Sequence, residues 1–380
     1  MSDPQEVWVT GMAWCTALGE DLDAVWQALL AGRSGIAPIA SEAPLRSLLG
    51  APVGGLDPEL PPRARQHRLA ATTLHRALQD AGLDPSCTDV LPVLATSYGH
   101  HLDVPETESL SLWAHEAAHA AGCRTPPVTV STACSAGADA LLAGLSFLRN
   151  GLASACVCGG ADILTPGKRL GHSQLGTLAS GGLRAFDQAH DGTLLGEGAG
   201  FLVLEAAAAA RARGARCHGV LAGAGSANDA LSAVAPDTSG TALALAVQRA
   251  LRSAGIDAAQ VDLISTHGTG TRLNDTLEAT TYGALFADAP RPPLLFGTKG
   301  AFGHTLGATG ALEAITVLLA LDAQAVPPIV GLEQPIADAR LPLATGTPTP
   351  WAARIGLSVT LGFGGFDTCL VLRRAQETRP

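Results

Sequence analysis

The sequence predicts an α/β protein made of two related halves, each a sheet covered by helices. Short apolar β-type runs alternate with Gly/Ala-rich helical runs along the 380 residues. LATSYG, residues 94–99, is echoed by LISTHG, residues 263–268. From Gly268 to His304 is 36 residues, against 35 from Gly99 to Cys134, and a Gly/Ala-rich helical run follows each. Near-equal spacing of similar segments points to an internal duplication.

The elements follow in order. Val7 to Thr10 is a strand ending in a glycine turn, and Leu22 to Leu30 has helical spacing. Pro92 to Gly99 reads as a buried strand, Ala136 to Leu148 as a helix, and ASACVCGG, 153–160, as the strand after it. FLVLEAAAAARARG, from Phe201 to Gly214, carries the chain from one half to the other. The order then repeats, through LISTHG and the helical run TLGATGALEAITVLLAL, to the closing segment SVTLGFGGFDTCLVL. Strands alternating with helices imply parallel sheets covered on both faces. No Pro/Ser-rich linker intervenes, so residues 1–210 and 211–380 are expected to form two halves of one body.

A net charge of −10 argues against broad wrapping of nucleic acid or an anionic membrane. The densest basic patch, Arg63, Arg65, His67 and Arg68 with Arg76 beyond, reads either as a solvated helix face or as a dock for an anionic partner. There is no signal-type N-terminus and no evident run of about 18 apolar residues, so a cytoplasmic chain is expected, without membrane insertion. Eight cysteines without framework spacing read as reduced thiols. Cys156 and Cys158 share a strand face with no second close pair, which does not make a metal site.

Cys134, in VTVSTACSAGADALLAGL, lies where a β-type run gives way to a helical run. It reads as a small buried hydrophobe or as a nucleophile. A helix N-terminus offers unpaired N–H groups that favour thiolate, and small neighbours leave room around it. His267, in STHGTGT, and His304, in GTKGAFGHTLGATG, are core or turn residues on the bland reading. As neutral imidazoles at strand ends they can donate to a developing enolate or exchange protons near neutral pH. Lys299, one of two lysines, lies in a Gly-rich segment and as a buried ammonium needs a partner; Glu278 is the expected one, with Asp275 bracing the same loop. The backbone N–H of Phe363, between glycines, can complete an oxyanion hole with that of Cys134, and its ring can gate an acyl pocket.

Two motifs are discounted. HEAAH, His115 to His119, matches a zinc-peptidase pattern, but Thr125 stands where the extended form needs a third histidine. GEGAG, Gly196 to Gly200, precedes an apolar strand where a nucleotide loop should follow one.

Nearly the whole chain, from VTGMAWCTALG to GFGGFDTCLVL, resembles the β-ketoacyl-acyl carrier protein synthases of the thiolase superfamily. TACSAG is similar to the nucleophile segment, HGTGTRLNDTLE to the first histidine segment, and GTKGAFGHTLGATGALE to the lysine and second histidine segment. LRAFDQAHDGTLLGEGAG resembles the internal segment around Arg184, Phe186 and Asp187. The resemblance implies a duplicated five-layer α/β/α/β/α fold and usually a dimer, with itself or with a related chain-length subunit. It implies Cys134 as acyl acceptor, His267 and His304 in decarboxylation of a malonyl thioester, and Lys299 with Glu278 organising the histidines. Thr269 and Thr271 match positions that hold the phosphopantetheine arm of an acyl carrier protein, and Phe363 matches the gate; no intrinsic cofactor or metal is implied. Acidic carrier proteins call for a basic doorway, for which Arg63, Arg65 and Arg68 are the candidates. The chain departs from the pattern at Phe302, Asn274, Thr360, Leu361 and Phe366-Asp367. These departures fit a specialised condensing enzyme for polyketides, aryl polyenes or other unusual acyl chains.

Overall fold

The computed structural model describes residues 6–86, 89–103 and 109–375. Ten strands form one hydrogen-bonded sheet: β1 (Val7–Cys15), β2 (Val90–Ala95), β3 (Val128–Val130), β4 (Ala155–Asp162), β5 (Gly198–Ala206), β6 (Gly219–Asn228), β7 (Leu263–Ser265), β8 (Leu294–Phe296), β9 (Ile355–Gly362) and β10 (Phe366–Arg373). The helices are α1 (Leu22–Leu30), α2 (Pro62–Asp80), α3 (Leu112–Ala120), α4 (Ala136–Arg149), α5 (Pro166–Gln174), α6 (Ala207–Ala212), α7 (Thr241–Ala254), α8 (Arg272–Leu285), α9 (Lys299–Phe302) and α10 (Thr309–Ala323).

The strand order is β8-β7-β9-β10-β6-β1-β5-β4-β2-β3. Split between β6 and β1, it is one five-strand pattern used twice. At that seam Trp8 pairs with Val220 and Val9 with Gly219. The sheet is mixed, not parallel as the alternation suggested. In each half two strand pairs are parallel and the last two antiparallel. The β9–β10 turn shows why: residues 363–365 are too few for a crossover and force a hairpin, with Gly364 and Gly365 at φ 81 and 77.

Three hydrophobic clusters separate the layers. Leu74 and Leu78 of α2 and Trp113 of α3 pack on one half-sheet, Leu243 and Val247 of α7 and Leu277 of α8 on the other. The largest cluster lies between the half-sheets, around α4 and α10. This is the five-layer order expected. The central helices approach closely because Gly137 and Gly310 face the partner helix: a Cβ on Gly137 would stand 2.8 Å from Gly307 O, one on Gly310 2.5 Å from Ala138 N.

Several boundaries sharpen. The α1 helix spans Leu22–Leu30 as its spacing predicts, with the Asp21 side chain accepting from Ala24 N at 2.8 Å. Gly11 does not end the first strand; it sits at a β-bulge where a Cβ would meet Ala77 O of α2 at 2.5 Å. One stretch, Leu306–Ala323, is long and apolar enough to cross a membrane, which corrects the expectation of none, but it is 83% buried inside the protein as the central helix. Seven cysteines are free thiols; the eighth, Cys87, lies outside the described residues.

Candidate functional site

Cys134 sits in a 3₁₀ turn, Ala133–Ser135, that runs straight into α4. Ala133 takes φ 50, a left-handed conformation uncommon for a residue with a Cβ, which makes the strand-to-helix turn abrupt. Cys134 thereby lines a cavity of about 410 Å³ together with His267, His304, Thr269, Thr271 and Phe363. The Cys134 thiol lies 3.1 Å from His304 Nε2, and His304 Nδ1 lies 3.2 Å from Thr309 Oγ1. The His267 ring stands edge-on to that of His304, centroids 5.2 Å apart. The three residues the sequence singled out meet in one place from 133 residues apart in the chain, Cys134 to His267.

Burial works against the helix-end argument for a resting thiolate. Burial pushes the Cys134 thiol up to about 11, and the Phe363 backbone N–H and the Lys299 charge only partly oppose it. Burial, then Lys299, holds both histidines well below their ordinary range; each also feels another imidazole, His304 for His267 and His172 for His304. The resting pair is thus a neutral thiol beside a neutral imidazole that can take its proton.

Lys299 does not pair with Glu278. Its ammonium donates to Glu313 Oε1 of α10 at 2.7 Å, and both groups are buried. The Glu278 carboxylate is already saturated: it accepts from His267 N and Gly268 N at 2.7 and 2.6 Å, from Asn274 Nδ2 at 2.8 Å and from Tyr282 OH at 2.9 Å. Glu278 therefore fixes the backbone of the His267 loop, while Lys299 and Glu313 form a separate buried ion pair. Asp275 braces the loop as expected, accepting from Gly270 N at 3.1 Å and Phe186 N at 2.7 Å. Glu313 was missed, although a carboxylate in the midst of a run of apolar helix residues is a readable signal for a buried partner.

Around the thiol, Gly362 leaves room for close approach: a Cβ there would stand 3.3 Å from Cys134 N. The Phe363 ring stacks on His172 at 5.5 Å and 20°, and His172 Nδ1 lies 2.9 Å from Thr177 Oγ1. The Thr269 and Thr271 hydroxyls are 2.8 Å apart on the cavity wall. Of the departures, Phe302 is no gate; it is buried against Trp14 with centroids 5.9 Å apart. Asn274 and Asp367 do line the cavity.

The arginine doorway breaks up. Arg65 turns inward to Glu197 and to Leu164 O at 3.0 Å, Arg63 pairs with Glu116, and Arg68 is exposed. Among the described residues no group of three His, Cys, Asp or Glu is placed to hold a metal ion, and in HEAAH Glu116 is taken by Arg63.

A duplicated fold with a cysteine and two histidines converging at its centre is the thiolase-fold ketosynthase class. The family model for the β-ketoacyl synthase N-terminal domain matches residues 5–210 and that for the C-terminal domain residues 218–333, so the chain belongs to the β-ketoacyl synthase family. It is 28% identical to 3-oxoacyl-[acyl-carrier-protein] synthase 2 of Synechocystis sp. over 98% of this chain and 99% of that one. It superposes on the ishigamide ketosynthase/chain length factor with TM-score 0.88 at 28% identity, covering 98% of this chain and all of that one (100%). On a type II polyketide ketosynthase in complex with its acyl-carrier protein the TM-score is 0.90 at 25% identity, with 98% and 100% covered.

Proposed function

We propose that the chain condenses a Cys134-bound acyl group with malonyl-acyl carrier protein, releasing carbon dioxide and a β-ketoacyl carrier two carbons longer. The observation that carries this reading is the 3.1 Å contact of the Cys134 thiol with His304, beside His267, in one cavity. The incoming acyl thioester meets Cys134 as its proton passes to His304. Thiolate attack forms the C–S bond, the backbone N–H groups of Cys134 and Phe363 hold the oxyanion, and collapse expels the carrier thiol, which takes the proton. Loss of carbon dioxide from the malonyl thioester then leaves an enolate whose oxygen accepts from His267 and His304. Its carbon attacks the acyl-Cys134 carbonyl and the thiolate departs.

The carrier's phosphopantetheine arm is assigned to the side of the cavity with Thr269 and Thr271, and Phe363, stacked on His172, is its gate. No further cofactor enters these steps. Likeness to a ketosynthase held in complex with its carrier protein supports such a partner, and likeness to a ketosynthase/chain length factor supports a dimer with itself or a related subunit. We place the work in the cytoplasm, in a polyketide, aryl polyene or fatty-acid-like pathway. The second reading, a non-catalytic partner that shapes chain length, has no use for the intact set of Cys134, His267, His304 and Lys299.

Intact-mass analysis with acyl and malonyl carrier proteins decides between them. A Cys134-dependent adduct followed by a two-carbon-longer product supports condensation; product formation unchanged in Cys134→Ala, in the presence of a second subunit, supports the partner role.

A further inference from the structure

The cavity wall carries a carboxylate that the condensation chemistry does not use. Asp367, in β10 opposite Leu361, is 5% exposed and lines the cavity, yet no hydrogen bond or ion pair from the described residues reaches its side chain. Asp229 stands beside it on the same wall, held by Leu231 N at 3.0 Å and Asp237 N at 2.8 Å. The cavity lining also includes the apolar side chains of Val234, Pro236, Leu273 and Leu361. The arginine on the wall, Arg272, is exposed and leaves the acid unneutralised. A carboxyl group set in a largely buried cavity wall without a protein partner is a place where a cation from outside would gain a charge-assisted hydrogen bond.

We propose that the site accepts acyl thioesters bearing a basic nitrogen, an amine or guanidine, with Asp367 and Asp229 holding the cation and the apolar walls taking the alkyl part. This rests on the reading of Cys134 as acyl acceptor. Burial, then the charges of Asp229 and Glu278, pushes Asp367 up to about 8, and an ammonium beside it would draw it back down, with any carboxyl proton passing to solvent.

The test uses the full chain and straight-chain acyl pantetheine thioesters in matched pairs, one ending in methyl and the other in a protonated amine. The rate of Cys134 acylation is read by intact mass. In the wild type the amine series is expected to react about tenfold faster than the methyl series at its best length, the effect of one charged hydrogen bond. Asp367→Asn, similar in shape, should remove that preference and leave the methyl series unchanged. Equal or slower reaction of the amines in the wild type overturns the proposal without needing any variant. An equal loss for both series in Asp367→Asn also overturns it, since that marks a contact with the arm common to both. No adduct from either series overturns the acyl-acceptor reading and this inference with it.

Discussion

The turn that carries Cys134 has a twin in the other half, and the two have opposite fates. Ala133 at φ 50 opens the first turn and Leu306 at φ 52 the second; each continues as a 3₁₀ turn into a helix whose second residue is glycine, Gly137 or Gly310. In this register Cys134 matches Gly307, not His304, which lies three residues earlier. The loops after β2 and β7 match too: Thr96 N donates to Val130 O at 3.2 Å and Thr266 N to Phe296 O at 2.9 Å, so the residues that follow, Ser97 and His267, are equivalents. One crossing of turn and loop holds Cys134 and His267. The other holds Gly307 and Ser97, so close that a Cβ on Gly307 would stand 2.2 Å from Ser97 N. Asp162 seals it, accepting from Ser97 N at 2.8 Å and Gly307 N at 2.9 Å while pairing with buried Lys168. Duplication built the scaffold twice; one copy kept a cavity for chemistry and the other closed into a strut.

Removing the working residue of each copy should separate the two roles. Cys134→Ala is expected to lower condensation by about 10³-fold or more, since the proposed nucleophile is gone, while unfolding free energy moves by less than about 1 kcal/mol. Asp162→Ala should do the reverse to stability, lowering it by about 3–5 kcal/mol, because Lys168 is left buried without its charge partner. Urea denaturation and single-turnover acylation measure the pair. A stable Asp162→Ala variant would show that the closed copy is no strut.

Much of this comparison was legible in the chain. The repeat of strand, Gly-bearing loop and Gly/Ala-rich helix announced the duplication, and the histidine segments pointed to the centre. What misled was counting to His304: the left-handed residues at Ala133 and Leu306, which set the true register, have no sequence signature, since neither is glycine. The Lys299 partner was misplaced for a related reason. Glu278 is the partner the resemblance implied, but its carboxylate capacity is spent on backbone N–H groups, Asn274 and Tyr282, and the fold sets Glu313 of α10 against the ammonium. The pull of a helix end on the thiol was outweighed by burial, which follows from layers formed far away in sequence.

That burial gives the next test. With Cys134 held up to about 11 and His304 below its ordinary range, alkylation by iodoacetamide should rise about tenfold per pH unit from roughly pH 7 to 10, without a plateau. A plateau with a midpoint near neutrality would mean a standing thiolate-imidazolium pair. The linkage has the matching sign: a thiol whose folded pKa is raised favours the fold below the unfolded value near 9, and this contribution is lost as pH climbs toward 11.

The smallest effect concerns the brace of the open copy's loop. Asn274 Nδ2 donates to Glu278 Oε2 at 2.8 Å and to Asp275 Oδ1 at 3.2 Å, tying together the two carboxylates that hold the His267 loop. Asn274→Gly removes both bonds and loosens the first turn of α8, for an expected loss of about 1–2 kcal/mol. Asn274→Ala separates the two causes, because it removes the bonds and keeps the helix former. Acylation of Cys134 should stay near wild type in both variants, since in the proposed mechanism that step runs on His304. Carbon dioxide release from malonyl carrier protein should fall severalfold, since in the proposed mechanism it needs His267 in place. Equal falls in both steps would mean that the brace serves the whole cavity instead of the loop after β7.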